Sequence, residues 1–361
     1  MKAIGAADRH ALVLGATGFV GRHLVLALGA AGVEVSTANR SRDGYERLAR
    51  WLAEHGHGRV PADLRVDLAA PSILGDATAD GVTEVYNCAG AFRFGMSAEE
   101  ARRANVDSVR AILAFAAGLP RLRRVVHVSG YRVGGQDPAL VPWSDERRRR
   151  VYATLGAYEA SKVEADAVLQ AVADELRVPW SIVNPATVIG DSATGEADPQ
   201  PGLASSLAEI RRGTMVALPG GSRTFVPVVT VDHLARFMTL LPADAATERA
   251  AYWVLDDDTP ALPDLLTMVA AHHGVRAPRL RIPVPLLKRL PRRLTGADPE
   301  TLTFLSDDRY PTGPAKVLAA RHGLVMPDAT TSILRWADHL AAGESPGTGP
   351  DRRSAVTEHG P

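Results

Sequence analysis

The chain has 361 residues, with 41 lysines and arginines against 41 aspartates and glutamates, a formal net charge of zero and a pI near 7.2. This balance argues against a general nucleic-acid binder, which needs a basic field. The single cysteine, Cys88, excludes an internal disulfide and a cysteine-based metal site, and no His cluster has the spacing of a zinc site, so we expect no metal. Residues 1–10 lack the apolar core of a signal peptide and no apolar run is long enough to span a membrane, so we expect a cytoplasmic protein with no membrane contact.

Short apolar runs alternate with helical patterns through the first half of the chain. Strands are predicted at residues 11–14, 33–38, 63–66, 82–86, 125–128 and 180–183. Helices are predicted at 19–31 and, after a capping box formed by Ser97 and Glu100, at 98–117. This alternation predicts an α/β protein with a Rossmann-type, doubly wound parallel sheet.

The organisation changes near residue 190, where proline becomes more frequent and the elements become shorter. We assign residues 1–189 to the main domain, and expect residues 225–255 to return to its sheet through segments 225–232 and 252–255. Residues 190–224 and 256–342 are predicted to form a smaller, mixed α/β lobe facing the substrate. Residues 343–361 are rich in Gly, Pro and polar residues, which predicts a disordered tail.

A glycine-rich turn joins the first predicted strand to the first helix. Gly15 allows the tight turn, Gly18 lets the backbone approach a pyrophosphate, and Gly21 lets the helix pack on the strand. The pyrophosphate would then meet the free N–H groups at the helix N-terminus. The predicted dinucleotide-binding turn comprises Gly15, Thr17, Gly18, Phe19, Val20 and Gly21.

The end of the second strand predicts which dinucleotide binds. An acidic residue there would bind the ribose of NAD, but this chain has Arg40, Ser41 and Arg42. Arg40 can pair with a 2′-phosphate, so NADP(H) is predicted over NAD(H). Further contacts are expected from Asp67 and Leu68 at the adenine edge and from Cys88, Ala89 and Gly90 beside the cofactor. Cys88 has no adjacent base and is interpreted as a wall residue.

Tyr158 and Lys162 lie four residues apart in a predicted helix, which places both side chains on one face. An ammonium group beside a phenol favours the phenolate, so Lys162 is expected to lower the pKa of Tyr158. A tyrosine of this kind can give a proton to a carbonyl or take one from an alcohol. An ordinary surface pair is the alternative.

With these motifs, the chain resembles the extended short-chain dehydrogenase/reductase superfamily over about its first 190 residues. The matching positions are Gly15, Gly18, Gly21, Asp67, Leu68, Asn87, Ala89, Gly90, Asn105, Val106, Val128, Ser129, Tyr158, Lys162, Asn184 and Pro185. The resemblance implies an oxidoreductase in which Tyr158 is the general acid/base and Lys162 binds the nicotinamide ribose. It also implies that Pro185, Ala186, Thr187 and Val188 flank the nicotinamide.

The third catalytic position departs from the family pattern. The family usually has two hydroxyl residues after the fifth strand, whereas this chain has Ser129 followed by Gly130. The resemblance implies that Ser129 orients the substrate oxygen. Tyr131 or a substrate hydroxyl remains an alternative.

The segment 188–195, with Gly190, Asp191, Ser192, Thr194 and Gly195, resembles the thioester-reductase and fatty-acyl-reductase branch of male-sterility type. The expected function is therefore reduction of a ketone or aldehyde in a small-molecule intermediate, or the reverse oxidation. The alternative is reduction of an acyl-CoA or carrier-bound thioester to an aldehyde. A nucleotide-sugar epimerase or dehydratase and a non-catalytic NADP sensor are weaker alternatives.

A run of four arginines, 147–150, precedes the Tyr158 helix. It is a candidate contact for the phosphates of CoA or phosphopantetheine, although a solvated charge run is the more common case. The expected partners are a small-molecule substrate, free or bound to CoA or a carrier protein, and no nucleic acid. The resemblance leaves a homodimer open.

Overall fold

The computed structural model describes residues 5–70, 72–75, 77–90, 95–198, 202–289 and 302–343. Its strands are β1 (His10–Leu14), β2 (Glu34–Asn39), β3 (Ala62–Arg65), β4 (Glu84–Asn87), β5 (Arg124–Val128), β6 (Trp180–Pro185), β7 (Thr187–Ile189), β8 (Leu218–Pro219), β9 (Val228–Thr230), β10 (Ala250–Val254) and β11 (Arg281–Ile282). Its helices are α1 (Phe19–Ala30), α2 (Arg42–Glu54), α3 (Ala98–Arg102), α4 (Ser108–Ala117), α5 (Asp145–Leu155), α6 (Ala157–Glu175), α7 (Leu203–Arg211), α8 (Val231–Leu240), α9 (Leu262–His272), α10 (Val284–Leu287), α11 (Gly313–Arg321) and α12 (Ala329–Gly343).

Seven strands form one sheet in the order β10-β6-β5-β4-β1-β2-β3, and every neighbouring pair is parallel. The predicted Rossmann-type α/β fold is therefore confirmed. The strand order reverses between β1 and β4, so a crevice opens beyond the carboxyl ends of these two strands. Open α/β sheets bind their ligands at this point.

Strand β1 shows why helices cover both faces of the sheet. Ala11 and Val13 pack with helix α1 on one face, while Leu12 and Leu14 pack with α4 and α6 on the other. All four side chains are buried, because successive residues of a strand point to opposite faces. A short apolar run without polar alternation is what a central parallel strand needs.

The predicted helix at 98–117 is interrupted. Its capping box is present, since the Ser97 hydroxyl accepts from the Glu100 amide at 3.2 Å and the Glu100 carboxylate accepts from the Ser97 amide at 2.9 Å. A π-helical segment, Arg103–Asp107, separates α3 from α4. Such segments often occur at functional sites, and this one carries the buried Asn105.

The later segments only partly follow the prediction. Strand β10 joins the main sheet beside β6, but β9, within segment 225–232, does not. The chain bends after Pro185, and β7 pairs with β9 in a separate two-stranded sheet. The expectation that 225–232 enters the main sheet is therefore wrong, because β7 already supplies its pairing partner.

A separate apolar core lies in the C-terminal part of the chain. Helices α7, α9 and α12 supply it, through side chains such as Leu207, Leu266 and Ile333. Strands β8 and β11 form a third, two-stranded sheet beside it. Of the predicted tail at 343–361, Gly343 ends α12, and residues 344–361 lie outside the described residues.

Candidate active site

Two positions of the glycine turn, Gly15 and Gly21, have no room for a side chain. Gly15 has φ +76°, and a Cβ there would lie 2.7 Å from the carbonyl carbon and oxygen of Cys88 and from the amide nitrogen of Ala89. A Cβ on Gly21 would overlap the carbonyl oxygen of Gly15. Gly18 donates to the Gly15 carbonyl at 3.0 Å and is the residue preceding α1. The turn therefore brings the backbone after β1 against the backbone after β4, at the topological switch point.

The remaining members of the predicted turn have distinct surroundings. Thr17 lies near the start of α2, since a Cβ on Gly44 would be 3.5 Å from its methyl group. Phe19 is buried and meets the ring of His23 edge-on, with 5.1 Å between centroids. Val20 is partly buried and packs against the core that contains β1. Thr17 thus connects the turn to the arginine segment described next.

Arg40, Ser41 and Arg42 line a cleft of about 520 Å³ together with Asp67 and other residues of the loop after β3. The Ser41 hydroxyl accepts from the Gly44 amide at 3.1 Å and so caps α2. Arg42 pairs with Glu46 at 2.9 Å. Arg65 also lines this cleft, and both Arg40 and Arg65 are exposed.

Asp67 lines that cleft, whereas Leu68 does not. The Asp67 amide donates to the Ile73 carbonyl at 2.9 Å, and its carboxylate accepts from the Ala69 amide at 2.9 Å. Leu68 packs against the apolar core on the α4 and α6 side. Asp67 therefore holds a turn, and its exposed side chain remains accessible from the cleft.

Cys88, Ala89 and Gly90 follow β4 and lie between the glycine turn and helix α6. Burial raises the pKa of the Cys88 thiol to about 12, although the charge of Lys162 opposes the shift. A thiol of this kind stays protonated and is not a nucleophile. A Cβ on Gly90 would lie 3.3 Å from the Lys162 Nζ and 3.3 Å from the Asn105 Oδ1, so these two polar groups meet beside Gly90.

Tyr158 and Lys162 lie one turn apart on α6, and both are partly buried. Burial lowers the pKa of Lys162 to about 8. Burial also raises the pKa of Tyr158, and the Glu159 carboxylate raises it further. The predicted lowering of the Tyr158 pKa is therefore wrong, because lost hydration and a neighbouring negative charge both disfavour the phenolate. Tyr158 retains its proton and can act as a hydrogen-bond donor.

Ser129 follows β5, is buried, and donates its hydroxyl proton to the Asp166 carboxylate at 3.4 Å. Gly130 adds no side chain. The Tyr131 hydroxyl is buried without a hydrogen-bond partner among the described residues, and its ring meets Tyr310 edge-on at 5.0 Å between centroids. The single proton of Ser129 is thus engaged within the protein.

Residues 185–188 are fixed by backbone hydrogen bonds from three directions. The Pro185 carbonyl accepts from the Tyr131 amide at 3.0 Å, and the Ala186 amide donates to Val254 at 3.1 Å. The Thr187 amide donates to Pro227 at 3.1 Å, and Val188 pairs with Val229 in the small sheet. The chain therefore leaves β6 in a defined direction beside the segment that carries Ser129.

Two acidic residues on α6 belong to the site but were not predicted. Glu159 is buried, pairs with Arg132 at 3.2 Å and accepts from the Thr303 hydroxyl at 3.1 Å. Asp166 is fully buried and accepts from Ser129, from the Gln136 amide and from Gln170. Asp166 lies one turn beyond Lys162, so helical spacing could have identified it. The partners of Glu159 are too distant in sequence for any local pattern.

The loop that resembles the thioester-reductase branch joins elements of the fold. Ser192 donates to the Asp232 carboxylate through its amide at 2.9 Å and its hydroxyl at 2.8 Å, and its carbonyl accepts from Arg335 at 2.7 Å. A Cβ on Gly195 would overlap the Arg335 carbonyl. The loop therefore connects the start of α8 to α12. These contacts explain on structural grounds why a serine stands at position 192 and a glycine at position 195.

The arginine run at 147–150 lies in α5 and is divided between two environments. Arg147 lies over the ring of Trp143 at 4.9 Å, and Arg148 pairs with Glu164 at 3.1 Å and Asp145 at 3.0 Å. Arg149 and Arg150 are exposed. Arg147 and Arg148 therefore already have partners within the protein. Arg148 joins α5 to α6 and to the N-terminus of α5.

The sequence indicated no partner ligand for the adjacent histidines His272 and His273, but the structure places a carboxylate beside them. Ligand atoms of His272, His273 and Asp338 lie within 4.8 Å of one another. His272 and Asp338 form an ion pair at 2.8 Å between α9 and α12. Asp338 is 65 residues away in sequence, so spacing alone did not associate it with the histidines.

Comparison with known proteins agrees with this geometry. The family model described as Male sterility protein, an NAD-binding family, matches residues 13–238. Sterol demethylase protein B of Methylococcus capsulatus is 30% identical over 285 residues, covering 77% of this chain and 78% of that protein.

Two solved structures share the fold over nearly the whole chain. The terminal R domain of the myxalamid PKS-NRPS pathway has a TM-score of 0.73 and 18% identity, covering 95% of this chain and 92% of that chain. A thiolation-reductase di-domain of an archaeal non-ribosomal peptide synthetase has a TM-score of 0.68 and 16% identity, covering 95% and 77% respectively.

A parallel sheet with a glycine turn at its switch point, in a chain matched by this family model, defines an NAD(P)-dependent oxidoreductase of the extended short-chain dehydrogenase/reductase type. Within that class, the chain belongs to the male sterility family, close to the thioester-reductase-like branch. The helices of the described residues include none with the length and apolar character needed to cross a membrane.

Proposed function

We propose that the protein transfers hydride between NADP(H) and a carbonyl or alcohol of a small molecule, with Tyr158 as the proton donor or acceptor. The observation that carries this proposal is the position of Lys162. Its Nζ lies beside Gly90, while Gly15 of the glycine turn packs against Cys88 and Ala89. The Tyr158 helix and the cofactor turn therefore converge on one three-residue segment.

The residues fit a dinucleotide. The glycine turn packs so closely against neighbouring backbone that Gly15 and Gly21 cannot carry a Cβ, and it leads into the N-terminus of α1, which favours a pyrophosphate. Arg40, with Ser41 and Arg42 nearby, would meet the 2′-phosphate, and Asp67, Leu68, Cys88, Ala89, Gly90 and residues 185–188 would line the remainder. When bound, NADPH would supply a hydride to the carbonyl carbon of the substrate.

In the reduction direction, Tyr158 gives its proton to the carbonyl oxygen as that oxygen gains negative charge. A high pKa suits a group that must hold the proton until then. Lys162, with a pKa of about 8, remains mainly charged at neutral pH and would bind the nicotinamide ribose. Ser129 would stabilise the wall of the substrate site. We further propose that residues 1–189 form the cofactor domain and that 190–224 and 256–342 shape the substrate pocket.

Thioester reduction is the second candidate, because both solved structures above belong to assembly-line systems and one of them includes a thiolation domain. The substrate would then be bound to CoA or a carrier protein. Arg149 and Arg150, the exposed arginines of α5, are candidate phosphate contacts.

NADPH oxidation measured against a panel of acyl thioesters, aldehydes and ketones tests both candidates. The panel includes a sterol ketone because the curated relative is named for sterol demethylation. Tyr158→Phe should lower kcat/KM by about 10²- to 10⁴-fold and leave NADPH affinity nearly unchanged, since only the transferable proton is removed. Undiminished turnover by this variant would contradict the role of Tyr158.

A further inference from the structure

Asp166 is a fully buried carboxylate that accepts several hydrogen bonds from one segment of the chain. Its Oδ1 accepts from the Ser129 hydroxyl at 3.4 Å, and its Oδ2 accepts from the Gln136 amide at 3.1 Å. Gln170, one turn further along α6, donates to the same Oδ2 at 3.0 Å and to the Gln136 carbonyl at 3.1 Å. Asp166 and Gln170 therefore hold both ends of segment 129–136 against α6.

The same segment contacts the residue that follows Tyr158 on α6. Its Arg132 pairs with Glu159, the residue next to Tyr158, at 3.2 Å. The Tyr131 amide donates to Pro185 at 3.0 Å, and the Tyr131 carbonyl accepts from the Trp253 indole at 2.8 Å. The segment is thus held between the catalytic helix and the strands β6 and β10. A shift of segment 129–136 relative to α6 would change its distance from Tyr158.

Burying the ionised Asp166 carboxylate costs free energy. Burial raises the pKa of its carboxyl to about 6 in spite of the hydrogen bonds that lower it. Because the pKa is 3.8 for an ordinary aspartate and about 6 in the folded protein, the folded state binds more protons between these values, so Asp166 makes stability fall as pH rises from 3.8 to about 6. A neutral side chain would hold a merely structural loop at lower cost. What Asp166 supplies to segment 129–136 is therefore its two acceptor oxygens and not its charge.

We propose that Asp166 is a positioning residue for catalysis, which fixes segment 129–136 at a set distance from Tyr158. This inference rests on the proposed hydride-transfer function. Ser129 then acts mainly through this anchor, since its only proton is directed to Asp166. A misplacement of about 1 Å at a reacting centre can cost about 100-fold in rate, so loss of the anchor should affect turnover more than folding.

Two variants of Asp166 separate placement from general stability. Asp166→Ala removes every acceptor, and kcat/KM for the carbonyl substrate should fall about 10- to 100-fold, with NADPH affinity within about twofold of the native protein. Asp166→Asn should recover most of the activity. Its amide oxygen can accept from Gln136 and Gln170, and its NH₂ can donate to the Ser129 oxygen.

A matched control lies on the same helix. Asp174→Ala removes an exposed carboxylate that accepts from Trp180 at 3.0 Å and Arg249 at 2.9 Å, away from segment 129–136. Its kcat/KM should remain within about twofold of the native value. Native kcat/KM in Asp166→Ala, or equal loss in the Ala and Asn variants with a lowered Tm in both, would overturn the positioning role.

Hydrogen exchange provides a readout that needs no substrate. The amide of Gln136 should exchange at least tenfold faster in Asp166→Ala than in Asp166→Asn. Unchanged exchange in Asp166→Ala would overturn the anchor even if no substrate were found. A failure of the hydride-transfer proposal is recognised separately, by the absence of NADPH oxidation with every carbonyl compound and thioester of the panel in the native protein.

Discussion

The proposed cofactor end and the proposed substrate end of this site depend on different kinds of contact. At the cofactor end, backbone atoms of the turn at Gly15 pack directly against backbone atoms of Cys88 and Ala89. At the substrate end, side chains distant in sequence meet, as Arg132, Glu159 and Thr303 do. The first arrangement depends on the absence of a Cβ, and the second on pairing of buried polar groups. Substitutions should therefore fail in different ways at the two ends.

The largest effect is expected from Gly15→Ala. A Cβ would meet the Cys88 and Ala89 backbone at 2.7 Å, and φ +76° is itself unfavourable for alanine by about 1–2 kcal/mol. Because backbone cannot move aside easily, NADPH affinity should fall about 100-fold or more, as measured by fluorescence titration. Gly58→Ala is the control, since a Cβ there meets nothing within 4 Å. Unchanged affinity in Gly15→Ala would remove the turn from the cofactor site.

Arg40→Ser should have the next largest effect, and only on one cofactor. A charged hydrogen bond to a phosphate contributes about 1.5–3 kcal/mol, so NADPH affinity should fall about 10- to 100-fold while NADH affinity stays unchanged. Arg50→Ser is the control, because Arg50 is also exposed and lies on α2, the helix that follows Arg40. An equal loss for both cofactors would show that Arg40 does not select the 2′-phosphate.

The contrast between the two ends also explains what the sequence could predict. The Rossmann topology and the residues of the glycine turn follow from apolar runs and from glycines at fixed spacing, which are local signals. The pairing of β9 with β7 and the pair between Glu159 and Arg132 were missed because they depend on contacts between distant segments. The direction of the Tyr158 pKa was wrong because helical spacing indicates a neighbour but not the degree of burial.

Glu159→Gln tests the substrate end and should have a smaller effect. The variant leaves the partly buried Arg132 without a charged partner, so the free energy of unfolding should fall by about 1–3 kcal/mol, as measured by urea denaturation. Glu175→Gln, exposed at the end of the same helix, is the control. An unchanged free energy of unfolding in Glu159→Gln would contradict a stabilising pair between Glu159 and Arg132.

The smallest effect is a pH dependence of stability that connects the two ends through Lys162. Its pKa is about 8 in the folded protein and near 10.5 in an exposed side chain. Between these pH values the unfolded chain binds more protons than the folded one, so Lys162 makes stability increase as pH rises from about 8 to about 10.5. Tyrosines and Cys88 titrate in the same range, so the native protein must be compared with Lys162→Met. The difference in free energy of unfolding between the two should change with pH in that window and level off below it, as measured by urea denaturation. A constant difference would mean that Lys162 is not desolvated beside Gly90, and the cofactor and substrate ends would then lack the shared buried cation that brings them together.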